Sequence, residues 1–307
     1  MRILVTGSTG MLGKALVQVL SRKHDVIGVC SKDFDIRDGN AVMAALRAQA
    51  PQLVVHLAAY TDVDGCEEHP LLAQETNAAG TESVAQACAE IGATLLYIST
   101  DYVFDGKQTE PYTEDDRPNP INVYGSSKWL GEKHLQALLD RFFIVRTSWL
   151  FGPWGKNFVR TILRLAGQQQ TLRVVSDQLG SPTYTRHLAS KLSELLETEA
   201  YGIYHVTGSG SCSWFEFAQN IVDVWPMAGV KVVPISSGEC GRPARRPTNS
   251  VLENRRLSLL HTGFLPHWKA GLASYLEEIR REGLAEESKE RQYEHTVGAH
   301  TPRNSRA

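Results

Sequence analysis

Apolar and polar positions follow two distinct periods along the first half of the chain. Short apolar runs occupy Arg2–Thr6 (RILVT), Asp25–Cys30 (DVIGVC), Gln52–Leu57 (QLVVHL), Thr94–Ser99 (TLLYIS) and Phe142–Arg146 (FFIVR). Runs of this length between polar boundaries read as strands buried on both faces. Between them the period changes to that of a helix. Leu12, Leu16, Val19 and Leu20 share one stripe, and the alanine-rich stretch Asn40–Ala50 is stopped by Pro51. Val84, Cys88 and Ile91 form a stripe within Asn77–Ile91, and a further helix spans about Tyr124 to Leu139. Strands alternating with helices in this way predict βαβ units, and so an α/β fold with a doubly wound, Rossmann-like parallel sheet.

The second half is less regular. Proline and glycine punctuate 152–155, 180–182, 208–210 and 238–247, with short strands at Thr171–Val175 and Lys231–Ile235 and a helix at Trp214–Val224. Long insertions of this kind give an α/β domain its substrate pocket. The expected organisation is a dinucleotide-binding domain over 1–150, rejoined by about 201–233, and a smaller substrate lobe from 151–200 and 234–281. Residues 282–307 are polar and read as a flexible tail.

Composition narrows the partners. Lys plus Arg number 32 against 34 Asp plus Glu, a formal net charge of −2. Such a chain lacks the positive field expected of non-specific nucleic-acid or anionic-membrane binding. The five cysteines, at 30, 66, 88, 212 and 240, contain no CxxC pair. They indicate neither a zinc site nor a disulfide framework. His56, His187 and His205 lack metal-ligand spacing and read as packing or hydrogen-bonding residues. The apolar run at the amino terminus is too short for a secretion signal, and no stretch reaches the length of a membrane span. The expected location is the cytoplasm.

Gly7-Ser8-Thr9-Gly10-Met11-Leu12-Gly13 follows the first strand and opens the first helix. Glycines also serve tight turns, but between a strand and a helix they let backbone amides approach a pyrophosphate. A dinucleotide is therefore expected. The second strand ends in Ser31-Lys32, a hydroxyl and a cation, which favours NADPH unless Lys32 is a solvated surface lysine. Asp33 and Asp35 follow and could instead serve NADH by accepting from the ribose.

Tyr124 and Lys128 form a YxxxK pair, one helical turn apart on one face. A free phenol titrates at about 10 and exchanges protons poorly at neutral pH, whereas a nearby ammonium should lower that value. Thr100 follows the fourth strand, at the sheet edge where ligands of open parallel sheets bind. A phenol, an ammonium and a hydroxyl converging on one carbonyl oxygen suit the reduction of a ketone.

These motifs, with Ala58-Ala59-Tyr60 after the third strand and Asn77, resemble the extended short-chain dehydrogenase/reductase superfamily. Within it, the ordered stretches HLAAYTDVDGCEEHP, ISTDYVFDG, NVYGSSKWLGEK, VRTSWLFGP and RPARRPTNSVLE are similar to the dTDP-4-dehydrorhamnose reductase branch. The resemblance implies NADPH-dependent reduction of the C4 ketone of dTDP-4-dehydro-L-rhamnose, with Tyr124, Lys128 and Thr100 as catalytic residues. It places Gly10, Met11 and Leu12 at the pyrophosphate, Asp35 and Ile36 at the adenine side, and Ala58, Ala59 and Tyr60 along the dinucleotide. Thr100 and Asp101 would contact the sugar, and Trp149 would stack on the base or sugar, unless it packs in the core. Arg242, Arg245 and Arg246 could meet the substrate diphosphate or form a solvated cluster. Some members are magnesium-bridged dimers through carboxylates near the end of the chain; the resemblance assigns none of the carboxylates here to that site, and Mg2+ and a homodimer stay open. Two other readings are a reductase or epimerase of another nucleotide-linked 4-ketosugar, and a non-catalytic NADP-binding subunit resembling the regulatory subunit of methionine adenosyltransferase.

Overall fold

The computed structural model describes residues 1–281 apart from Pro226, Ala228, His261 and Thr262. The expected tail, 282–307, lies outside the described residues. Six strands form one sheet: β1 (Arg2–Thr6), β2 (Asp25–Val29), β3 (Leu53–His56), β4 (Thr94–Thr100), β5 (Phe142–Thr147) and, after an excursion into the smaller lobe that includes β6 (Thr171–Val175), β7 (Gly202–His205). The order is β7-β5-β4-β3-β1-β2 and every pairing is parallel. Strand order reverses between β1 and β3, which makes their carboxyl ends the crevice where ligands of open sheets bind.

Helices cover both faces. On one lie α1 (Met11–Leu20) and, later in the chain, a helix over Thr185–Leu196; Leu12 and Leu16 pack there with Leu188, Ala189 and Leu192 against Ile3, Val5 and Val55. The other face carries α2 (Gly39–Gln49), α3 (Gly80–Ile91) and α4 (Val123–Leu138). The predicted helix from Asn77 begins instead with a π-helical turn, Gln74–Ala79, that leads into α3.

The smaller lobe has its own core around Phe151, Val159, Ile162, Phe217, Ile221, Trp268 and Tyr275. It joins α5 (Phe158–Ala166), β6, α7 (Trp214–Val224) and β8 (Lys231–Ile235) with a helix over 268–281, whereas α6, the Thr185–Leu196 helix, packs on the large sheet. β6 and β8 pair in parallel.

The lobes interleave more than the expected boundaries allow. Of 201–233, only β7 returns to the large sheet, while α7 and β8 help build the smaller lobe. Conversely, α6 falls in the segment expected in the smaller lobe yet covers the large sheet. Its Leu188–Leu192–Leu195 stripe needs an apolar partner, and α1 supplies one; burial, not chain proximity, decides the layer. No helix among the described residues is long and apolar enough to cross a membrane.

Candidate active site

A cleft of about 790 Å³ opens along the carboxyl ends of the sheet strands. Its wall contains Gly7, Gly10, Met11, Leu12 and Gly13, then Asp35 and Ile36, then Ala58, Ala59 and Tyr60. Thr100, Asp101, Tyr124, Lys128 and Trp149 line it too. These fifteen residues read from the sequence are thus brought to one cavity.

The glycine loop shows why these positions exclude side chains. Gly7 adopts φ +64°, a left-handed conformation, and a Cβ there would come within 2.8 Å of the Ala58 amide nitrogen. At Gly13 a Cβ would collide with the Gly7 carbonyl and lie 2.8 Å from the Ser8 backbone. Gly10 stands at the N-cap of α1 and offers no side-chain acceptor. The first amides of the helix therefore remain for a ligand, and together with the dipole they suit a pyrophosphate. The loop fits a dinucleotide.

Beyond β2, Lys32 takes the solvated alternative, and another cation lines the cleft. Ser31 lines it, but Lys32 is exposed and absent from the wall, and Arg37 takes that place. The turn explains the change: the Asp33 carboxylate accepts from the Cys30 amide at 2.8 Å, which closes the turn and leaves Lys32 outside. Asp35 accepts from the Arg37 guanidinium at 2.6–3.1 Å, which holds its carboxyl below the usual range. Arg37 is a residue that sequence reasoning missed.

Asn77, buried on the π-helical turn, ties the centre of the site together. Its Oδ1 accepts from the Tyr60 amide at 2.8 Å, and its Nδ2 donates to the Tyr60 carbonyl and to Ser127 Oγ, both at 3.0 Å. One side chain thereby fixes the cofactor-side turn to the helix that carries Tyr124 and Lys128. Asn122 caps that helix by accepting from the Gly125 amide at 2.7 Å. Further along, the buried Glu132 accepts from Arg146 on β5 at 2.7 and 3.0 Å and locks α4 to the sheet. His205 on β7 completes the network, with its Nδ1 3.0 Å from the Tyr112 carbonyl. Burial and the Arg146 charge push its pKa down to about 3. His56 is also held neutral, down to about 3, by burial and by the charge of Lys128. Its Nδ1 lies 2.8 Å from Thr6 Oγ1, so both histidines are hydrogen-bonding residues of the interior.

The candidate trio of Tyr124, Lys128 and Thr100 differs from expectation in its acid–base balance. Lys128 is buried with its Nζ 4.1 Å from the centre of the Tyr97 ring, a cation–π contact. Desolvation pulls it down to about 7, against the opposing charge of Glu132. Lys128 was expected to make Tyr124 more acidic. Instead the Tyr124 phenol is pushed above its ordinary value, first by burial and then by the Asp101 carboxylate, with a hydrogen bond to Thr100 opposing. Removal from water dominates, so the phenol keeps its proton. Thr100 donates to Asp101 Oδ1 at 3.0 Å and accepts from the Tyr102 amide at 3.2 Å. Burial raises Asp101 to about 7, against hydrogen bonds from Ser250 and Thr100.

The arginines of 242–246 turn elsewhere. Arg242 and Arg246 each donate to Asp64 at 3.0 Å, and neither lines the cleft. Trp149 does line it, but its indole is stacked on that of Trp214, which forms part of the same wall. Trp214 was not among the residues singled out in the sequence. Among the described residues no three His, Cys, Asp or Glu side chains gather as metal ligands.

Comparison with known proteins agrees with this geometry. The family described as RmlD substrate binding domain matches residues 1–281. The spore coat polysaccharide biosynthesis protein SpsK of Bacillus subtilis is 42% identical over 279 residues, covering 90% of this chain and 97% of its own length. The dTDP-4-dehydrorhamnose reductase of Streptomyces griseus is 41% identical over 278 residues, covering 88% of this chain and 91% of its own. The crystal structure of the Bacillus anthracis dTDP-4-dehydrorhamnose reductase in complex with NADP superposes with a TM-score of 0.88 at 42% identity, covering 90% of this chain and 99% of that one. With a Rossmann-like parallel sheet, a glycine-lined cleft and the Tyr124–Lys128 pair in it, the chain belongs to the dTDP-4-dehydrorhamnose reductase family.

Proposed function

We propose that this protein is an NADPH-dependent oxidoreductase that reduces the C4 ketone of dTDP-4-dehydro-L-rhamnose to give dTDP-L-rhamnose. The observation that carries the reading is the presence of Tyr124, Thr100 and Lys128 in one cleft with the glycine loop. NADPH, when bound, supplies the hydride. Gly10, Met11 and Leu12 would meet its pyrophosphate where the first amides of α1 point, with Gly7 and Gly13 keeping the loop close enough. Asp35 and Ile36 meet the adenine side, with Arg37 beside them, while Ala58, Ala59 and Tyr60 line the path of the dinucleotide.

Tyr124 is the general acid. Its enclosed phenol retains the proton until the ketone oxygen becomes an alkoxide basic enough to take it. Lys128 holds the nicotinamide ribose and stabilises the phenolate left by that transfer. Thr100 polarises the ketone by turning its hydroxyl from Asp101 to the carbonyl oxygen, Asp101 contacts the sugar, and Trp149 stacks on the base or sugar. Reaction with a reduced nicotinamide and a nucleotide sugar suits the cytoplasm.

The test is product analysis. The protein is incubated with dTDP-4-dehydro-L-rhamnose and either NADPH or NADH, coenzyme oxidation is followed, and the sugar nucleotide is identified by NMR. The expected result is dTDP-L-rhamnose, formed more efficiently with NADPH. Turnover confined to another 4-ketosugar would reassign the substrate, and no oxidation with any of them would leave a binding subunit.

A further inference from the structure

The contact proposed for Trp149 conflicts with the way its indole is packed. Gly180 lies so close to the ring that a Cβ there would overlap it. Trp214 covers it too, with ring centroids 3.5 Å apart and planes only 5° from parallel. Superposed rings set their negative faces against each other, an arrangement that aromatic pairs avoid in favour of offset or edge contacts. The backbone of Trp149 is disfavoured as well, at φ +48°, a region bulky side chains rarely enter. Two unfavourable features thus meet at one point of the cleft wall. Strain of this kind persists where the surroundings enforce it, and it concentrates at ligand clamps.

The two indoles come from different parts of the fold. Trp149 follows β5 of the large sheet, and Gly180 backs it. Trp214 is the first residue of α7 in the smaller lobe, just after Ser213, whose Oγ accepts from the Glu216 amide at 3.1 Å while its own amide donates to Glu216 at 2.7 Å. Phe158 flanks Trp214 with centroids 4.6 Å apart. Both indoles are half-buried, and both line the cleft that holds Tyr124 and Thr100.

We propose that Trp214 is a specificity residue for the nucleotide, and that Trp149 and Trp214 are the two walls of a slot that receives the substrate's pyrimidine base between them. The free pair is this slot closed on itself. Opening it by the thickness of one ring exchanges a single superposed indole contact for two contacts with the base. Trp214 is the wall that moves, because Trp149 is backed by Gly180 and Trp214 opens a helix of the other lobe. The inference rests on the nucleotide-sugar reading above and narrows it to recognition of a flat base.

The probe is dTDP. Superposed indoles couple their ultraviolet transitions, so the free wild-type protein is expected to show an exciton couplet in circular dichroism, lost as dTDP is titrated in. Trp214→Ala should lack the couplet from the outset and bind dTDP about tenfold more weakly by calorimetry, the scale of one lost base–aromatic stack. Trp214→Phe should fall between the two, with NADP+ affinity unchanged in both variants. A couplet that persists at saturating dTDP overturns the proposal without recourse to any variant. Equal or tighter dTDP binding by Trp214→Ala also overturns it, since Trp214 would then be a bystander or a plug. Wild-type protein that neither binds dTDP nor reduces dTDP-4-dehydro-L-rhamnose overturns the functional reading and this inference together. Turnover with an unaffected Trp214→Ala overturns this inference alone.

Discussion

The two ends of the cleft are built in opposite ways. At the coenzyme end the part of the wall suited to a pyrophosphate is main chain from one short stretch, Gly7–Gly13, shaped by what glycine lacks. At the other end it is made of side chains drawn from β4, α4, the turn after β5 and the start of α7, and it contains a left-handed tryptophan. Recognition of a phosphate by amides needs only a short local motif, because every residue carries the donor. A sugar, a base and a proton transfer need different chemical groups, so distant segments must be brought together. The first kind of wall tolerates no added atoms; the second depends on what each side chain is.

Substitutions at the two ends should therefore fail differently. The largest expected effect is on chemistry at the substrate end. Tyr124→Phe should lower kcat by about a thousandfold, within the usual range for loss of a general acid, with NADP+ binding retained. A titration of NADP+ alongside the rate assay checks both halves of that statement.

At the coenzyme end, Gly13→Ala forces a methyl group against the backbone of Gly7 and Ser8. It should weaken NADP+ binding by about tenfold or more, as displaced amides lose charge-assisted hydrogen bonds worth ~1.5–3 kcal/mol each. Calorimetry with NADP+ measures this, and an unchanged Kd would mean that the loop does not cradle the phosphates.

The third effect is graded with pH. Lys128 is charged below about 7 and neutral above it. If its charge stabilises the Tyr124 phenolate, kcat/KM, which reports the free enzyme, should decline as pH rises through that value. Asp101 titrates over the same range. Asp101→Asn should keep the decline and Lys128→Met should abolish it, and the reverse pattern would assign the limb to Asp101.

The smallest effect is expected outside the cleft. Arg242→Ala leaves Asp64 paired with Arg246 and removes only an exposed partner. Thermal unfolding should register a loss of at most about 0.5 kcal/mol, and turnover should not change.

What was legible in the sequence follows the same division. The glycine loop and the YxxxK pair each lie within one element, so spacing alone puts their members together. Thr100 could be placed because a strand's carboxyl end has a known relation to the crevice. Arg37 was missed because the turn closed by Asp33 decides which cation faces inward, and composition near the strand end favoured Lys32. Trp214 was missed because its local pattern is that of a capped helix start; nothing nearby in the chain announces Trp149. The protonation of Tyr124 was misjudged because spacing reveals a neighbouring ammonium but not the loss of water around the phenol. The assignment of α6 failed for a related reason, since its stripe says only that it must be covered, not by which partner.

The strand order also bears on how the chain is made. Five strands of the large sheet are complete by Thr147, but β7, which pairs with the outer side of β5, ends only at His205. A nascent chain released from the ribosome in sequence order must hold Phe142–Thr147 as a bare edge while the intervening excursion is synthesised. Apolar edges of that kind recruit foreign strands. Truncations ending between 148 and 201 should therefore aggregate during expression, and this interval is where the nascent protein most needs a chaperone's protection.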